Sequence, residues 1–174
     1  MKIVLALGNP GDKYEKTRHN LGILQLKSFL EKEALDFSKK EDNNATIYKK
    51  NDSILIFSKV YMNLSFSALS KTMQLYKVKP ADILVLHDDL MLKEKELKLK
   101  QGGGHAGHNG LRNIIQSIGA DFSRLRIGID HPKNLGLLIS PSDYVLSKTP
   151  DLQNWELTFK AGNEIIKDFL KDND

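Results

Sequence analysis

"DILVLHDD", residues 82–89, decides the fold. Four consecutive apolar residues follow Asp82, and the run stops at His87-Asp88-Asp89. A short apolar run bounded by turn residues reads as a strand buried on both faces. Its polar end marks where the strand leaves the core. Working outward, "KIVLALG" (2–8) and "SILIFSKV" (53–60) have the same character, the first ending at Asn9-Pro10 and the second at Tyr61-Met62-Asn63. "KELKLKQ" (95–101) alternates as a half-exposed strand, and "SRLRIGID" (123–130) sets Leu125, Ile127 and Ile129 against Arg124, Arg126 and Gly128.

Helical patterns separate these strands. "HNLGILQLKSFLEKEAL" (19–35) spaces Leu21, Leu24, Phe29 and Leu35 near the helical period. "NLSFSALSKTMQLYKV" (63–78) reads as a helix capped by Asn63 or Ser65. "NGLRNIIQSIG" (109–119) is a short helix closed by Gly119, and 151–171 is an amphipathic helix. Residues 36–52 read as a polar loop with one short edge strand, and 131–142 as a loop punctuated by prolines. The alternation predicts one α/β domain over 1–174, with a mixed, largely parallel twisted sheet flanked by helices.

The bulk composition narrows the function classes. Of the 174 residues 40% are hydrophobic and 28% charged, as in ordinary globular proteins, and the absence of cysteine removes disulfides and thiolate metal ligands. "IVLAL" is too short for a signal peptide's apolar region, and no stretch approaches a membrane span. A reducing cytoplasm is therefore expected. The net charge of +4 is compatible with a polyanionic partner, and the placement of the charges matters more.

In an open α/β sheet, ligands bind beyond the carboxyl ends of the strands. That rule gathers Asn9, Asn63 and Asp88 on one rim, with His19 at the start of the first helix folding back onto it. Each residue also has a plainer role: Asn9 in a turn, Asn63 as a helix cap, Asp88 and Asp89 capping the next turn, His19 solvated. Their coincidence at strand ends favours chemistry. A histidine, an aspartate and several asparagines without a nucleophile motif suit hydrolysis by activated water. The imidazole takes the proton, the carboxylate fixes its tautomer, and the amides serve an oxyanion or a peptide backbone.

"QGGGHAGHNGLRN" (101–113) holds His105 and His108 as H-x-x-H, but a glycine loop without Cys or a neighbouring acid is a poor zinc scaffold. Walker, G-x-S-x-G and G-x-G-x-x-G patterns are all missing. Lys93, Lys95, Lys98 and Lys100 lead into the loop, and Arg112, Arg124, Arg126 and Lys133 follow it. Lys98 and Lys100 share a strand face, which suits either a solvated edge or a phosphate-binding surface. The glycines at 102–104 would let backbone N–H groups come close to phosphate.

Five ordered motifs, "LGNPGDKYEKTRHNLG" (7–22), "YMNLS" (61–65), "VLHDDLML" (85–92), "KLKQGGGHAGHNGLRNI" (98–114) and "RLRIGIDHP" (124–132), resemble the bacterial peptidyl-tRNA hydrolases. The resemblance spans nearly the whole chain. It implies cleavage of the ester between a peptide and the 3′ ribose of tRNA, with His19 as base, Asp88 orienting it, and Asn9 beside the reacting carbonyl. It also implies peptide or substrate contacts from Tyr14, Tyr61, Asn63, His108 and Asn109, and tRNA phosphate contacts from Lys98, Lys100 and Arg126. Peptidyl-tRNA is then the partner, without metal or organic cofactor, membrane or second subunit. Phe66 stands where the family commonly has Gly, the 131–146 segment "HPKNLGLLISPSDYVL" lacks its usual glycine-rich form, and "KDND" ends the chain in place of a longer basic tail. A non-catalytic RNA-binding module, like the plant organelle splicing factors that resemble this family, and a metal hydrolase are the competing readings.

Overall fold

The computed structural model describes residues 1–34 and 36–171. Its centre is built from the apolar runs. Strand β1 (Lys2–Ala6) is buried along its whole length, and it pairs in parallel with β4 (Ser53–Ser58) on one side and β5 (Ile83–Asp89) on the other. Strand β7 (Ser123–Gly128) continues the parallel array beyond β5. Antiparallel strands complete both edges: β3 (Ala45–Lys50) and β2 (Ser38–Glu41) beyond β4, and β6 (Leu97–Gln101) beyond β7. The sheet order is β2-β3-β4-β1-β5-β7-β6. It is mixed as expected, with the parallel pairing confined to the four central strands.

Alternation along each central strand supplies two cores. Ile3, Leu5, Ile54, Ile56, Ile83 and Val85 face helices α2 (Phe66–Tyr76) and α3 (Asn109–Ile118), which contribute Ala68, Leu69, Leu111 and Ile114. Val4, Ala6, Leu84, Leu86, Leu125 and Ile127 face α1 (Leu21–Glu33) and α5 (Glu156–Lys171), which bring Leu26, Phe29 and Ile166. Each such Leu or Ile, fully buried, contributes about 1.5–3 kcal/mol. Phe66 packs half-buried against the first core.

Several boundaries differ from the sequence expectation. The region read as a loop with one strand holds the β2–β3 hairpin: β2, "SKKE", is exposed throughout, so no apolar alternation marks it. Its lysines blunt an otherwise open edge. The first helix begins at Leu21 after a 3-10 turn at Arg18–Asn20, and Leu35 lies outside the described residues. Helix α2 begins at Phe66, whose N–H is capped at 2.8 Å by Asn113 Oδ1 from α3, so neither Asn63 nor Ser65 provides the side-chain cap. The loop after β7 contains a 3-10 turn (Pro132–Leu135) and a short helix α4 (Pro141–Val145). The last helix starts at Glu156 after a 3-10 turn at Leu152–Trp155, and residues 172–174 of "KDND" lie outside the described residues.

One close approach fixes the site. A Cβ on Gly22 would lie 2.3 Å from the Leu86 carbonyl oxygen, so only glycine lets the first turn of α1 rest on the ends of β1 and β5. That contact carries His19 over the end of β5. Among the described residues no helix is long and apolar enough to cross a membrane.

Candidate active site

A cleft of about 700 Å³ opens at the carboxyl ends of the parallel strands. Asn9, His19, Tyr61, Asn63, Asp88, His108 and Asn109 all line it. Tyr14 does not: it stands edge-on behind Tyr61, with ring centroids 6.4 Å apart.

Asp88 is the hub, 2% exposed. His19 Nδ1 lies 2.9 Å from each of its carboxylate oxygens, and His108 Nε2 lies 3.0 Å from Oδ1. The tautomer of His108 follows from its other nitrogen. Nδ1 accepts from the N–H groups of Gly110 and Leu111 at 3.2 and 3.3 Å, capping α3, so the ring proton sits on Nε2 and is donated to Asp88. His19 likewise donates through Nδ1, which leaves its Nε2 bare, with no protein partner among the described residues.

The electrostatics agree with that arrangement. Burial pulls the His19 pKa down, but the charge of Asp88 and the hydrogen bond to it prevail, and the net shift is upward from 6.5. For Asp88, burial alone would favour the neutral acid. His19 and His108, through electrostatic interaction and the N–H hydrogen bonds they donate to it, hold the carboxyl well below its usual range. The three side chains place possible ligand atoms within 4.8 Å of one another. A cation would need a lone pair on His108 Nε2, and the helix cap has already committed the neutral ring's one lone pair at Nδ1. The trio is therefore built for hydrogen bonding. His105, the other half of H-x-x-H, lines the cleft but spends its Nδ1 on the Gly107 N–H at 3.0 Å.

Asn9 is oriented by its own surroundings. Its Oδ1 accepts from Met62 N–H at 2.8 Å, so the amide NH₂ is the group left for the cleft. Its backbone is gripped from both sides by Asn20, whose Oδ1 accepts from Asn9 N–H and whose Nδ2 donates to Asn9 C=O, each at 2.9 Å. Sequence reasoning missed Asn20, because a buried amide inside "TRHNLG" carries no periodic signal. Asn63 and Asn109 stand exposed on the cleft wall, Asn109 as the first residue of α3.

Lys98, Lys100 and Arg126 lie outside the cleft. Register pairs Lys98 with Arg126 and Lys100 with Arg124, so all four residues share the sheet face that α2 and α3 also occupy. Both lysines are exposed, whereas Arg126 donates through Nε to Asp89 Oδ2 at 2.7 Å. Arg124, named from sequence only among the basic residues that follow the glycine loop, is 2% exposed and anchors that loop through the carbonyls of Gly103 and Gly104. Alternation set it opposite the apolar side chains, and β7 is covered on both faces at that point. The far wall of the cleft comes from α4 and Leu146, tied to the loop before His19: Arg18 Nη1 donates to Lys148 C=O at 3.0 Å, and its guanidinium lies over the Tyr144 ring.

Comparison with known proteins follows the same lines. The family model described as peptidyl-tRNA hydrolase matches residues 3–174. Peptidyl-tRNA hydrolase of Pasteurella multocida is 43% identical over 170 residues, covering 94% of this chain and 86% of that protein. That of Coxiella burnetii (strain RSA 493 / Nine Mile phase I) is 41% identical over 165 residues with the same coverage. The crystal structure of the Acinetobacter baumannii peptidyl-tRNA hydrolase superposes with a TM-score of 0.80 at 34% identity, covering 94% of this chain and 83% of that one. By sequence across almost its whole length, and by fold, this chain belongs to the peptidyl-tRNA hydrolase family.

Proposed function

We propose that the chain hydrolyses the ester joining a peptide to the 3′ ribose of tRNA. The observation that carries the reading is a histidine whose Nδ1 is locked to a buried carboxylate while its Nε2 faces an open cleft. His19 Nε2 takes a proton from water as the water attacks the ester carbonyl, and Asp88 stabilises the imidazolium that forms. The Asn9 NH₂ is placed to donate to the developing oxyanion. The imidazolium then returns its proton to the departing 3′ oxygen, freeing peptide and tRNA. Among the described residues no serine or threonine hydroxyl bonds His19, which supports direct attack by water over an acyl-enzyme route.

Tyr61, Asn63, His108 and Asn109 form the wall along which the peptide lies, with Tyr14 backing Tyr61. The exposed ammonium groups of Lys98 and Lys100, with Arg126 beside them, take tRNA phosphates. In this reading the protein works in the cytoplasm as a monomer, without metal or organic cofactor.

Release of the blocked amino acid from an N-acetyl-aminoacyl-tRNA tests the proposal, with free aminoacyl-tRNA as control and His19→Ala as the variant. The wild type cleaves the blocked substrate, and the variant loses about 10²–10⁴ in rate with tRNA affinity retained. A wild type that binds tRNA without cleaving would make the chain an RNA-binding module, and inhibition by chelators would make it a metal hydrolase.

A further inference from the structure

His87 is a buried imidazole to which the mechanism above gives no task. It is 2% exposed and contributes to the cleft lining, and its ring stands edge-on to that of His108, with centroids 5.2 Å apart. Its Nδ1 lies 2.8 Å from the backbone carbonyl oxygen of Asp88. A carbonyl only accepts, so Nδ1 carries the proton. Nε2 is then a bare acceptor, buried and without a partner among the described residues.

The reason for that bond lies in the strand geometry. Carbonyls two residues apart in a strand point toward the same neighbour. The Leu86 carbonyl accepts from Leu7 N–H at 3.2 Å, on the β1 side, and the pairing of β5 with β1 ends there. The Asp88 carbonyl points the same way, but β1 has already turned at Gly8 and Asn9. No strand N–H is left to meet it, and a buried carbonyl needs a donor. His87 supplies one from its side chain.

We infer that His87 is a positioning residue for the catalytic carboxylate: its Nδ1–H takes the place of the missing strand and pins the Asp88 peptide unit, while its ring edge supports His108. The inference deepens the proposed hydrolase reading and rests on it for the catalytic consequence. A neutral ring is required, since a second proton would put a charge beside His108. The charged and titratable groups around it are His108 from the loop before α3, Asp88 and Asp89 on its own strand, and Arg126, its register partner on β7. Burial, and after it His108, push the His87 pKa down to about 4, which keeps the ring neutral at physiological pH.

Two amide replacements separate the hydrogen bond from mere bulk. In His87→Asn the amide nitrogen stands near the position of Nδ1 and still donates to the Asp88 carbonyl. In His87→Gln the amide moves out to the position of Nε2 and leaves that carbonyl bare. The expected result for His87→Gln is a kcat about 10–100-fold lower with KM nearly unchanged, because a displaced carboxylate misaligns His19. His87→Asn recovers most of that loss. Imidazole resonances give a readout that does not depend on turnover. Wild-type His87 shows a protonated Nδ1 and bare Nε2 at pH 7, and the His19 pKa falls in His87→Gln but not in His87→Asn. The opposite tautomer in wild type, or equal behaviour of the two variants in both kcat and the His19 titration, would overturn the inference. A wild type inactive on peptidyl-tRNA would count against the hydrolase reading alone, since the resonances still decide the role of His87.

Discussion

Replacing Asp88 by Asn removes the charge of the hub with almost no change in shape. The carboxylate accepts from His19 Nδ1 and from His108 Nε2, each at about 3 Å, the first bond buried and the second part-buried. The amide keeps one oxygen and sets an NH₂ against whichever imidazole N–H it does not serve. A hydrogen bond to a charged group contributes about 1.5–3 kcal/mol, so losing one or both costs roughly 1.5–6 kcal/mol. If most of that stabilises the imidazolium in the transition state, kcat falls by about 10–10⁴, at about 1.4 kcal/mol per factor of ten. The pH profile carries a sign as well. His19 must be neutral to accept a proton, and in the wild type Asp88 raises its pKa, so activity declines on acidification through a value above 6.5. Without the carboxylate, burial alone acts on His19, and the acid limb of kcat/KM moves to lower pH. Single-turnover hydrolysis of an N-acetyl-aminoacyl-tRNA across pH 5–8 measures both quantities. An Asp88→Asn enzyme with wild-type kcat, or with its acid limb unmoved, would refute the coupling of these side chains.

Asn20→Ala removes both bonds that grip the Asn9 backbone; stability should fall by about 1–3 kcal/mol in urea unfolding, and kcat/KM should fall with it although Asn20 is off the cleft wall. Gly22→Ala drives a methyl against the Leu86 carbonyl and should cost about 1–3 kcal/mol or more, read as a lowered Tm; an unchanged Tm would mean that α1 does not rest on the strand ends as described. Lys98→Ala and Lys100→Ala should each flatten the salt dependence of tRNA binding by about one counterion. Arg126→Ala should flatten it less, because its guanidinium is already paired with Asp89, and equal effects at all three positions would show that this pair opens on binding.

How much of this was legible in the sequence depends on the kind of signal each residue carries. Strands β1, β4 and β5 announced themselves because burial on both faces demands unbroken apolar runs, and the polar residues that end them marked the rim. Strand β2 carried no such signal, since both of its faces are wet. Asn63 looked like a helix cap because its residue type fits one, yet α2 takes its side-chain cap from Asn113, more than forty residues along the chain. Local preference cannot report such a tertiary substitution. The roles of Arg124 and Asn20 went unread for a related reason: their partners are backbone carbonyls and N–H groups of other loops, which no spacing encodes.

The same accounting explains why the site lies where it does. A sheet of parallel strands leaves unpaired backbone groups wherever a neighbour stops first, and helices packed on it begin with N–H groups that need acceptors. Here His87 serves the Asp88 carbonyl beyond the end of β1, and His108 Nδ1 serves the first N–H groups of α3. Each of these structural duties fixes a tautomer. The cap on α3 sends the His108 proton to Nε2, where it meets Asp88 and offsets part of the cost of burying that carboxylate. Asp88 in turn holds the His19 proton at Nδ1 and leaves Nε2 open to the cleft. The protonation state that the proposed base catalysis needs thus follows, bond by bond, from satisfying the ends of a strand and a helix.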